Sequence, residues 1–222
     1  MQNWIFDIRS RSFVLLVISF VIVSMLVYFQ ITESFDQLII SFVADNVGYS
    51  SLDIIMQIIT ESADISYMLG FGILMLLIKK TRKVGITLMI LIVLSTLLAG
   101  YIKCGIDRDR PDFDYEGTPF PVKISHDTFA LFCEGGFNAS YPSGHATRAV
   151  IFGIILGYAL SERFPRGSYL LLIYPLLVSI SRVYVLQHFP MDVIGGTILG
   201  VMLAGVMSKK TKLYKIFEKS KP

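Results

Sequence analysis

Residues 12–32, SFVLLVISFVIVSMLVYFQIT, contain no charged residue, no proline and no glycine. A run of this length matches the roughly 30 Å hydrocarbon core of a bilayer when wound as one helix. In lipid a helix satisfies its backbone polar groups within itself, which an isolated strand cannot do. The run exceeds a signal-peptide core and no small-residue cleavage pattern follows it, so it is expected to stay as a first helix.

Working outward, five further apolar stretches are expected to be spanning helices: 65–78, which is short and begins somewhat earlier, then 84–102, 144–161, 167–181 and 189–208. The composition agrees, with 54% hydrophobic and 17% charged residues in 222 and a mean hydropathy of +0.64. The expected fold is therefore an all-α integral membrane protein, one domain over 1–222, built as a six-helix transmembrane bundle. Gly153 with Gly157, and Gly196 with Gly200 and Ala204, recur at four-residue spacing. Small residues so placed let helices approach closely in lipid.

Charge orients the bundle. Arg9, Arg11, Lys79, Lys80, Arg82, Lys83, Arg163, Arg166 and the six lysines from Lys209 onward make 14 basic residues on one side. The positive-inside rule places that side, and both termini, in the cytoplasm. Six basic residues remain outside (Lys103, Arg108, Arg110, Lys123, Arg148 and Arg182), while 14 of the 17 acidic residues fall there. A net charge of only +3, with basic residues at span ends rather than on a stripe, argues against nucleic acid and for a membrane surface as partner.

Two segments lie outside the membrane in this reading. Residues 33–64 carry six carboxylates and no Lys or Arg, with apolar residues at helical spacing. They are expected to form interfacial helices acting as a lid or brace. Residues 104–141 form the longest loop, rich in aromatics, Gly and Pro, expected as an ordered cap. Cys104 and Cys133 both fall in it without metal-ligand spacing, and a disulfide between them would pin the cap beside Lys103. Arg108, Lys123 and His126 are expected to be solvated loop residues, and the Asn138 sequon sits too close to Pro142 for a bulky glycan.

The outer basic residues carry the chemistry, because a charge inside a span costs roughly 2.5–3.5 kcal/mol on insertion scales and normally marks a polar site. Lys103 closes the third span, with Arg110-Pro111 seven residues on. Pro142-Ser143-Gly144-His145 opens the fourth, with Arg148 one turn along. Ser181-Arg182 closes the fifth, and His188 and Asp192 open the sixth. All three clusters meet at the outer mouth. Singly, Asp192 is a favourable charge in a first helical turn, Arg148 and Arg182 snorkel, and His188 is a polar interface residue. Together those readings would need unrelated accidents on one membrane face.

A phosphoryl group in transfer spreads negative charge over three oxygens, so its catalysis is largely positioning and electrostatics. Lys103, Arg110 and Arg182 supply cationic donors, and the Ser143-Gly144 backbone at a helix amino terminus favours an anion. His188 suits the nucleophile, because Asp192 four residues on can hold one ring nitrogen and leave the other to attack. His145, without a carboxylate in its cluster, suits the acid that protonates the leaving oxygen and then the base that activates water. No metal or other cofactor is indicated.

Lys103-x6-Arg110-Pro111, Pro142-Ser143-Gly144-His145 and Ser181-Arg182-x5-His188-x3-Asp192 together resemble the three-part signature of the type 2 phosphatidic acid phosphatase family, with all eleven specified residues present. The resemblance covers roughly 65–207; the first 64 residues fit by topology alone. It implies the same histidine roles, a phosphohistidine intermediate and a membrane lipid phosphate as substrate. Within the family a polyprenyl diphosphate is favoured, with phosphatidate and phosphatidylglycerophosphate as neighbours. The alternative is a phosphotransferase that passes the phosphoryl group to another acceptor.

Overall fold

The computed structural model describes residues 7–48, 50–113, 133 and 139–213. Most of the expected 104–141 cap, with Lys123, His126 and Asn138, lies outside the described residues.

Among the described residues the chain is all helical, without strands. The order is α1 (Arg11–Tyr28), α2 (Glu33–Ala44), α3 (Ser50–Ser62), α4 (Ile65–Leu77), α5 (Arg82–Ile106), α6 (Gly144–Leu160), a 3₁₀ segment (Gly167–Leu172), α7 (Ile173–Tyr184) and α8 (Pro190–Thr211). Local chemistry sets several boundaries. Ser10 caps α1 by accepting the Phe13 N–H, and Asp64 caps α4 by accepting that of Ser66. Pro190 begins α8, where its missing N–H leaves no helical bond unmade. Asp107 ends α5 in the left-handed region at φ 48°, and its N–H closes the last turn on Lys103 O.

The centre of the bundle is α6, packed against α8, α7 and α5. Where α6 meets α8, a Cβ on Gly196 would overlap the Ser143 carbonyl, and one on Gly200 would come within 2.7 Å of Thr147 O. The close approach also permits a hydrogen bond from Thr147 Oγ1 to Gly196 O at 3.0 Å. A Cβ on Gly153 would come within 2.9 Å of Leu171 O in the 3₁₀ segment. These small residues pack helices, as their spacing suggested. The first helix is different: α1 lies against α8 and buries only Val27.

Among the described residues, four stretches are long and apolar enough to cross a membrane: Arg11–Tyr28, Arg82–Ile106, Gly167–Tyr184 and Pro190–Thr211. A fifth follows if Ser51–Ser62 and Ile65–Leu77, bent by 58° at the break between them, form one span. The sequence reading of six thus stands at four or five on length and composition, because Gly144–Leu160 is apolar but shorter. The bend also modifies the reading of 33–64. The helix α2 packs against α7 and α8, whereas α3 and α4 have the composition of a broken span or re-entrant pair when taken together. The buried Asp53, Gln57, Thr60 and Glu61 of α3 face inward rather than to an aqueous interface.

Candidate active site

Three chain segments converge at the amino-terminal end of α6, and each arrives for a local reason. Ser143 caps α6, its side chain accepting the Ala146 N–H at 3.4 Å, so His145 falls in the first turn. Its own N–H donates to Asp192 O at 2.9 Å, which ties the start of α6 to the start of α8. That bond commits the Ser143 amide within the protein. The expected anion-facing donors at this helix start are therefore the amides that follow it. Arg182 closes α7, its carbonyl accepting the Gln187 N–H at 3.1 Å, and the chain then turns to present His188 before α8.

The ionisable side chains here are almost wholly withdrawn from solvent. Arg182, His145, His188 and Asp192 are each 0% exposed, Lys103 3% and Arg148 4%. Buried charge is costly unless it is paired or hydrogen-bonded, and each cation is held. Lys103 Nζ donates to Ala139 O, Arg110 Nη1 to Gln187 O at 2.9 Å and Arg182 Nη1 to Thr60 Oγ1 at 3.2 Å. Arg148 spans two partners, donating through Nε to Ala63 O at 3.1 Å and through Nη2 to His145 Nδ1 at 3.2 Å.

The last contact fixes a tautomer. A guanidinium only donates, so His145 Nδ1 accepts and the ring proton sits on Nε2. The opposite arrangement holds at His188, whose Nδ1 lies 3.5 Å from Asp192 Oδ2, the side for a ring N–H. Asp192 also accepts the Phe189 N–H at 2.9 Å, so it serves the helix start as well as the histidine. The two histidines thus differ in surroundings: His145 Nδ1 faces a guanidinium, while His188 Nδ1 faces a carboxylate.

Several neighbours were not evident from the sequence. Arg108, expected as a solvated loop residue, is only 13% exposed in its side chain and bridges two buried carboxylates. It donates to Asp192 Oδ1 at 2.9 Å and to Asp36 Oδ2 at 2.7 Å. Asp36 in turn accepts the Met191 N–H at 3.1 Å. Burial pushes the Asp36 carboxyl up from its ordinary value, while Arg108 and that N–H work the other way. From the segment expected as interfacial helices, Asp36 of α2, Thr60 of α3 and the Ala63 carbonyl after it accept from Arg108, Arg182 and Arg148. Tyr141 is a further anchor, its ring near Phe20 and its hydroxyl 2.9 Å from Ser24 Oγ in α1. Burial raises that hydroxyl to about 12.

Cys104 and Cys133 form a disulfide, Cα–Cα 5.8 Å, so residue 133 is fixed one position beyond Lys103. Among the described residues no three His, Cys, Asp or Glu side chains converge as metal ligands. A cavity of about 290 Å³ opens beside the site, walled by Glu33, Gln37, Arg108, Arg110 and Phe189 among others.

Comparison with known proteins points one way. A family model described as the PAP2 superfamily matches residues 66–214. The chain is 36% identical over 128 residues to an undecaprenyl-diphosphatase of Sulfolobus acidocaldarius, covering 57% of this chain and 55% of that protein. It is 33% identical over 131 residues to phosphatidylglycerophosphatase B of Bacillus subtilis, covering 55% and 56%. A lipid A 1-phosphatase of Rhizobium johnstonii is 31% identical over 137 residues, covering 60% and 52%. The chain thus spans about half the length of the curated relatives it matches. The crystal structure of a transmembrane PAP2-type phosphatidylglycerolphosphate phosphatase from Bacillus subtilis superposes with a TM-score of 0.73 at 26% identity, covering 93% of this chain and 98% of that one.

Proposed function

The chain belongs to the PAP2 superfamily, and on that premise we propose that it hydrolyses a lipid phosphate or diphosphate monoester at the outer face of a membrane. One observation carries the reading: buried Lys103, Arg148 and Arg182 accompany two buried histidines, one facing a guanidinium and the other a carboxylate. Cations withdrawn from water at a helix start suit an anion, and the histidine pair suits a proton-coupled displacement on it.

The reaction follows from the atoms. The phosphate binds among Lys103, Arg110, Arg182 and the amides at the start of α6. The His188 Nε2 lone pair attacks phosphorus while Asp192 holds Nδ1–H. The bond from phosphorus to the lipid oxygen breaks, and the His145 Nε2–H proton goes to that oxygen. Water then attacks the phosphohistidine, His145 takes its proton, the N–P bond breaks and inorganic phosphate leaves. A polyprenyl diphosphate is the favoured substrate, supported by the named activity of the Sulfolobus relative. Its leaving group is a lipid monophosphate.

The site faces outward in this proposal because the 14 basic residues at the opposite ends of the spans take the cytoplasmic side. The bundle is read as six spans, with α6 as the short central one and α3–α4 as one broken span. The cysteine pair, joined beside Lys103, suits an oxidising outer compartment. Labelling of intact cells with an impermeant thiol reagent tests this. Asp112→Cys is expected to label and Lys210→Cys to stay protected; the reverse pattern rules out an outer-leaflet substrate.

The activity itself is tested with purified protein on a polyprenyl diphosphate, phosphatidate, phosphatidylglycerophosphate and nitrophenyl phosphate. Phosphate release is expected with water as sole acceptor and chelator present, fastest on the polyprenyl diphosphate. Release that needs an added lipid or sugar acceptor would instead establish a phosphotransferase.

A further inference from the structure

We propose that Arg108, braced by Asp36, is a positioning residue that aligns the Asp192 carboxylate on the nucleophile His188. The inference rests on the phosphatase reading above and extends it to α2, outside the family-matched segment 66–214.

A carboxylate turns about its terminal bond with little resistance, since such torsions are broad. Asp192 is nevertheless held at both oxygens. Oδ1 accepts from Arg108 Nη1 at 2.9 Å, and Oδ2 accepts the Phe189 N–H at 2.9 Å while facing His188 Nδ1 at 3.5 Å. The guanidinium is itself fixed. Its Nη2 donates to Asp36 Oδ2 at 2.7 Å, and its Cζ lies 4.0 Å from the centre of the Phe189 ring. Asp36 is pinned in turn by the Met191 N–H at 3.1 Å, in the first turn of the helix that carries Asp192. The planar fork of an arginine gives each carboxylate its own N–H, a geometry lysine cannot reproduce. Charge acts in the same direction. Asp36 and Asp192 are both fully buried, and without the guanidinium two like charges would face each other away from water.

Arg108 also lines the cavity beside Arg110, so the competing role is contact with the lipid headgroup. Steady-state kinetics on a lipid diphosphate and on nitrophenyl phosphate separate the two. A positioning role predicts that Arg108→Gln lowers kcat on both substrates with KM little changed. The expected loss is roughly 10- to 100-fold, the scale typical of outer partners that orient a histidine. Arg108→Lys should recover part of it, and Asp36→Ala should lower kcat while adding little in the Arg108→Gln background, because both act through one contact. If Arg108→Gln does not fold, as judged by thermal unfolding in detergent, the kcat of Arg108→Lys and of Asp36→Ala decides. A rise in KM for the lipid alone, or full multiplication of the two losses, overturns the proposal. A wild-type protein inactive on every substrate would instead defeat the phosphatase reading, whereas an active one indifferent to Arg108 defeats only this inference.

Discussion

Two helices of nearly equal length, α1 with 18 residues and α6 with 17, live in opposite surroundings. The first buries only Val27 and turns large side chains such as Leu15, Ile18 and Ile22 outward. The second buries every residue except Phe152, Leu156 and Leu160. By length and composition α1 suffices to cross a membrane, whereas α6 is apolar but shorter. Chemistry ranks them the other way. A helix facing lipid must itself match the bilayer with apolar residues, whereas a helix wrapped by protein can be shorter and carry His145, Thr147 and Arg148 in its first turns, because neighbours satisfy them. The length criterion therefore undervalues the helix on which the site is built.

The largest effect that sharpens this contrast is expected from the first turn of α6. If His145 gives its Nε2–H to the leaving oxygen, His145→Ala should cost about 10²–10⁴-fold on an alkyl phosphate monoester such as phosphatidate. The loss should be much smaller on nitrophenyl phosphate, whose leaving group needs no proton, and intermediate on a lipid diphosphate. An equal loss on all three would remove the acid role.

A smaller effect is expected where α8 meets α6. Gly196→Leu must displace the Ser143 carbonyl or the Thr147 side chain, both hydrogen-bonded. Overpacking of that kind costs about 1–3 kcal/mol, so the variant should lose thermal stability in detergent and, through Ser143, activity. The smallest effect belongs to α1. Leu15, 63% exposed, should tolerate Ala within about 0.5 kcal/mol. Were Leu15→Ala as damaging as Gly196→Leu, the division into a lipid-facing helix and a central one would be wrong.

What the sequence made legible follows the same division. The residues placed at the outer mouth on chemical grounds, namely Lys103, Arg110, Ser143, Gly144, His145, Arg182, His188 and Asp192, stand in a pattern of unusual charge at span ends, and that pattern is visible without coordinates. The residues that hold them are less visible. Ala63 acts through its carbonyl, which leaves no mark in side-chain chemistry. Thr60 and Asp36 sit in amphipathic helices where one polar residue more excites no comment. Arg108 was overshadowed by Arg110 two positions on, and its isolation from any apolar stripe made solvent the natural expectation. A signal did exist in the carboxylates of 33–64: a segment with six acids and no bases beside a cationic mouth has an electrostatic reason to dock there. The bend between α3 and α4 was hidden because only the pair taken together is apolar enough to pass as a span, while α3 alone reads as an amphipathic helix.

If phosphorus passes through His188, the phosphoenzyme can be trapped on that residue. Protein turning over a lipid diphosphate would be quenched in base, where a phosphorus–nitrogen bond on histidine survives, and its peptides mapped by mass spectrometry. A phosphoryl group is expected on the peptide bearing residue 188, absent from His188→Ala and accumulating in His145→Ala if hydrolysis needs His145 as base. A phosphoryl group on His145 that persists in His188→Ala would contradict it, exchanging the two roles and with them the argument from Asp192.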